Sequence, residues 1–67
     1  MKVRVALKVD NREIDAYEFE ISGTFDDSSG ELSQGVRAAY DKFRKTYPRI
    51  AMFDDGTNII IGKRKDA

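Results

Sequence analysis

A chain of 67 residues makes one small domain, which buries only about 60% of the surface its unfolded form exposes. It has no cysteine and no histidine, which excludes disulfide staples and zinc–thiolate sites and leaves only carboxylates, lysines and tyrosines as general bases. Twelve basic and twelve acidic residues cancel, which argues against general binding along a phosphate backbone.

With 40% hydrophobic residues, many of them β-branched or aromatic, the chain is expected to fold rather than stay disordered. Met1 is followed by alternating residues instead of an apolar leader, and no stretch approaches the ~20 apolar residues that cross a bilayer. A cytoplasmic protein is therefore expected, which the lack of cysteine fits. The charges are segregated along the chain. Residues 1–9 carry Lys2, Arg4 and Lys8 and no acid, residues 10–31 carry eight acids against Arg12, and residues 32–67 carry eight basics against four acids.

Residues 2–9 alternate strictly, with Val3, Val5, Leu7 and Val9 on one face and Lys2, Arg4, Ala6 and Lys8 on the other, the period of a half-buried strand. Tyr17, Phe19 and Ile21 repeat the pattern against Glu18 and Glu20. Asp10-Asn11 suits a type I′ turn, which pairs Val9 with Arg12. Carried on unbroken, that register sets Val3 against Glu18, on the wrong face. A bulge near Asp15-Ala16 corrects it, pairing Val5 with Tyr17, Val3 with Phe19, Arg4 with Glu18 and Lys2 with Glu20. The alternative is a longer loop over residues 10–13.

Residues 22–30 are rich in turn formers, and Ser28 with Glu31 matches a capping box at a helix start. The helix is predicted from about Glu31 to Tyr47, where Pro48 stops it. Leu32, Val36, Ala39, Tyr40, Phe43 and Tyr47 form its apolar stripe, with Arg37, Asp41, Arg44 and Lys45 opposite. Gly35 is anomalous there, since an interior glycine costs roughly 1 kcal/mol relative to alanine. Close packing on a strand or a partner explains it, as does plain tolerance. A second hairpin is expected, with strands at 49–53 and 58–63 around Asp55-Gly56. Its register sends Ile50, Met52, Ile59 and Ile61 to the helix side and Ala51, Phe53 and Ile60 away from it.

The expected fold is thus α+β, ββαββ over residues 1–67: a four-stranded antiparallel sheet of order 2-1-3-4 with one helix packed on one face. The uncharged run Ile59-Ile60-Ile61 on an edge strand, with no charge until Lys63, marks an expected protein interface of Ala51, Phe53, Ile60 and Ala6. A homodimer is its simplest use, with an unidentified larger protein as the further partner. By analogy of size alone, the chain reads as a non-enzymatic regulator or inhibitor of the kind that phages and mobile elements encode. The competing reading is a small nucleic-acid-binding protein using Arg37, Lys42, Arg44, Lys45 and Arg49 on the helix side with the tail Lys63, Arg64 and Lys65.

No cofactor, metal site or catalytic centre is expected. The acidic loop Asp26-Asp27-Ser28-Ser29-Gly30-Glu31 lacks the alternating spacing of a calcium loop, and helix capping accounts for it. Asp54 and Asp55 suit turn chemistry better than paired catalysis.

Overall fold

The alternation of residues 2–9 places that strand at the centre of the sheet. In the computed structural model, which describes residues 1–22, 25, 29–50 and 56–63, β1 (Lys2–Val9) pairs antiparallel with β2 (Arg12–Glu20) on one side and with β3 (Thr57–Lys63) on the other. One helix, α1 (Glu31–Thr46), connects β2 to β3. The sheet has three strands in the order β2-β1-β3.

The α+β class stands, and the four-stranded ββαββ architecture does not. The strand expected to come last is the third, and it pairs directly with β1, setting Ile61 against Val5 and Ile59 against Leu7. The strand expected at 49–53 lies outside the described residues except for Arg49 and Ile50, which take turn and bend geometry after the helix. The expectation assumed that strands adjacent in sequence pair with each other. Val3, Val5 and Leu7 are fully buried, and a row so buried needs apolar neighbours on both flanks. Tyr17 and Phe19 supply one flank, and Ile59 and Ile61 supply the other. Gly56 serves that long-range pairing. Its φ of 85° is a glycine conformation, and its carbonyl accepts the Asp10 N–H at 2.7 Å, joining the start of β3 to the first turn.

The first hairpin follows its expected register except at Leu7, which the turn was expected to set against Ile14 and which faces Asp15. Asp10 and Asn11 have φ of 53° and 65°, as a type I′ turn requires. Val5 faces Tyr17, Val3 faces Phe19, Arg4 faces Glu18 and Lys2 faces Glu20. The bulge falls slightly earlier than expected: Lys8 faces Glu13 and Leu7 faces Asp15, so Ile14 is the extra residue. Lys42 of the helix holds this irregular stretch, donating to the Asp15 carboxylate at 3.3 Å and to the Ala16 carbonyl at 3.1 Å. The same carboxylate accepts the Ala16 N–H at 2.7 Å.

The helix lies across β1 and β2, with Ala39 and Phe43 fully buried against Val3, Val5, Leu7 and Ile21. Gly35 is where the helix meets β2, because a Cβ there would collide with the Phe19 ring. Close packing on a strand therefore accounts for this glycine. The helix starts after Gly30, which adopts φ 80° and as a glycine offers no side-chain cap; the Ser29 hydroxyl accepts the Glu31 N–H at 3.4 Å. Ser28, expected to cap it, lies outside the described residues. Glu31 instead ties the first turn back to the end of β2, accepting the Ser22 N–H at 2.8 Å and the Ser22 hydroxyl at 3.0 Å. The helix ends at Thr46, one residue short of the expected end and just before Tyr47-Pro48.

Candidate interface along the third strand

The two edge strands differ in how they are defended. β2 carries Glu13, Asp15, Glu18 and Glu20 and a bulge, features that discourage another strand from pairing. β3 reads Thr-Asn-Ile-Ile-Ile-Gly-Lys, regular and uncharged until its last residue. Among the described residues nothing pairs with its outer edge.

β3 also presents apolar surface on both faces. Ile59 and Ile61 lie on the helix side, in the row of Leu7 and Val5, while Ile60 lies on the outer side opposite Ala6. Ile60 is 51% exposed and Ile61 is 40% exposed. The exposure of Ile61 follows from the placement of α1 over β1 and β2, which among the described residues leaves the helix side of β3 open. Between them runs a groove of about 560 Å³, lined by Leu32, Val36, Tyr40, Arg37, Arg44 and Ile61.

On the outer face a shallower hollow of about 250 Å³ is lined by Ala6, Ile60, Gly62, Arg4, Lys8 and Lys63. Ala6 is only 5% exposed although no helix covers this face. Arg4 donates two hydrogen bonds, at 2.8 and 2.6 Å, to the Glu13 carboxylate. The register puts these partners on either side of the Ala6–Ala16 pair, so the ion pair spans it. The hydrogen bond from Arg4 is also what holds the Glu13 carboxyl below its ordinary range. Ala6 thus contributes floor rather than contact surface.

Of the expected interface residues, the structure brings Ile60 and Ala6 together, while Ala51 and Phe53 lie outside the described residues. Ile61 was expected in the core. It is partly open because α1 packs on β1 and β2, a placement that no local pattern in the sequence states. Arg37 and Arg44 line the groove on the helix side with Asp41 between them, and Lys63 ends β3 opposite Val3, in the facing of Ile61. Lys42 is engaged by Asp15, Lys45 and Arg49 are exposed, and Arg64 and Lys65 lie outside the described residues.

Among the described residues no cluster of three or more acidic side chains is arranged to hold a metal ion, and no helix is long and apolar enough to cross a membrane. Neither the family models, nor the curated proteins, nor the solved structures compared with this chain include a match to it.

Proposed function

We propose that the chain is a protein-binding module without chemistry of its own, which receives an extended segment of another chain along β3. It acts by occupying that partner, as a regulator or inhibitor does. The observation that carries this reading is the pair Ile60 and Ile61, exposed on opposite faces of one uncharged edge strand. A strand added there gains main-chain hydrogen bonds from the edge. Its alternate side chains reach the groove on one face and the hollow beside Ala6 on the other. A nucleic-acid role has less support, since the net charge is zero and the helix basics Arg37 and Arg44 flank Asp41.

A photo-activatable residue placed at Ile60, and separately at Glu20 on the defended edge, tests the proposal in cells. Protein adducts are expected from position 60 and few from position 20. Equal yields from the two positions, or adducts with nucleic acid instead of protein, would refute it.

A further inference from the structure

Resting on that reading, we propose that the chain seated on β3 is a second copy of itself, paired antiparallel about a two-fold axis through Ile60. A two-fold interface requires a surface complementary to itself. Turned on its own centre, Thr57–Lys63 sets Ile60 against Ile60, Ile59 against Ile61, Asn58 against Gly62 and Thr57 against Lys63. No like charges meet. The two Lys63 side chains fall at opposite ends of the paired strands, about 20 Å apart at 3.3–3.4 Å per residue.

This register covers what is exposed in one copy. On the helix side, Ile61 is flanked by Ile59 of the second copy, which sits at the open side of the groove below Leu32, Val36 and Tyr40. On the outer side the two Ile60 side chains meet beside the Ala6 hollow. Both helices then lie on one face of a six-stranded sheet. Sliding the pairing by one residue sets Ile59 against Ile60 and sends the second helix to the opposite face. The edges left exposed in the dimer are the two β2 strands, with their acids and bulges, so assembly closes at two copies. A net charge of zero raises no long-range repulsion between copies.

Two measurements on the full chain test this. In sedimentation velocity, wild type is expected to pass from monomer to dimer as concentration rises toward about 1 mM. Ile60→Lys and Ile60→Glu each set like charges across the axis and should weaken self-association more than tenfold, and mixing the two should restore a dimer. Independently, the absence of native cysteine makes a single introduced thiol diagnostic. Ile60→Cys lies on the axis, where directly opposed residues have Cα atoms about 4.5–5.5 Å apart, within disulfide reach. Mild oxidation should yield a covalent dimer from Ile60→Cys and none from Asn58→Cys, which faces Gly62. A wild type that stays monomeric, failure of the mixed charge variants to associate, or equal cross-linking of both cysteine variants overturns the proposal. If wild type is monomeric while the photo-adduct at position 60 contains a different protein, the docking edge stands and the second copy falls.

Discussion

Gly35 shows how a residue chosen against its local propensity reports on packing. Alanine is the better helix former by roughly 1 kcal/mol, yet a methyl group at position 35 meets the Phe19 ring. Gly35→Ala is therefore expected to destabilise by about 1–3 kcal/mol, the usual range for overpacking, measured as a lower urea midpoint with unchanged slope. If stability rises instead, Phe19 has room to move. Glu31 shows a different residue-scale effect. The Ser22 backbone N–H, then the Ser22 hydroxyl, stabilise its carboxylate, and with a smaller contribution from Ser29 they outweigh desolvation to hold its pKa below the ordinary value of 4.5. A lowered carboxyl pKa stabilises the fold fully above that ordinary value, and the contribution fades as pH falls through the lowered one. Glu31→Gln should accordingly be less stable than wild type at pH 7, with the difference in urea midpoint closing as acid protonates the Glu31 carboxylate. A difference independent of pH would mean that the contacts to Ser22 do not depend on charge.

At the scale of elements, the first hairpin was legible because its signals are local. Asp10-Asn11 suits a two-residue turn, and alternation on both strands leaves a mismatch that one inserted residue resolves. Asn11, at φ 65°, tolerates the left-handed region that a β-branched residue does not. Asn11→Val should cost about 1–2 kcal/mol, while Asn11→Gly should leave stability equal or raise it by a few tenths. Similar losses from both would show that the turn has another conformation. The placement of the last strand was less legible. Its Asp55-Gly56 signal pointed to a local hairpin, whereas the conformation of Gly56 serves a contact with Asp10, far away in sequence. Local turn chemistry specifies a bend and leaves open which strand lies beyond it.

For the whole molecule, helix and hairpin are joined mainly by apolar contacts, and Lys42 adds one polar tie to the bulge. Burial works against ionisation of Asp15, but the Ala16 N–H and Lys42 outweigh it, so its carboxyl titrates below the ordinary value. Lys42→Met keeps the apolar stem near the Tyr17 and Phe43 rings and removes the charge. It should cost about 0.5–1.5 kcal/mol by chemical denaturation and speed amide exchange around Asp15 and Ala16. Unchanged exchange there would show that the bulge holds its shape without the Lys42 contacts.

The sequence by itself determined the first hairpin, the helix and the strand holding the isoleucine run, though not the number of strands, because period-2 and period-3.6 patterns, turn residues and Pro48 act over a few positions. It determined that β3 divides its isoleucines, with Ile60 opposite in facing to Ile59 and Ile61, because adjacent residues of a strand must point to opposite faces. Tertiary structure alone decided that β3 pairs with β1, that Gly35 yields to Phe19, and that Ile61 stays partly open. Each of those depends on which surfaces compete for the buried row Val3, Val5 and Leu7. The helix packs on β1 and β2, so among the described residues β3 is left as an uncharged edge with apolar surface on both sides.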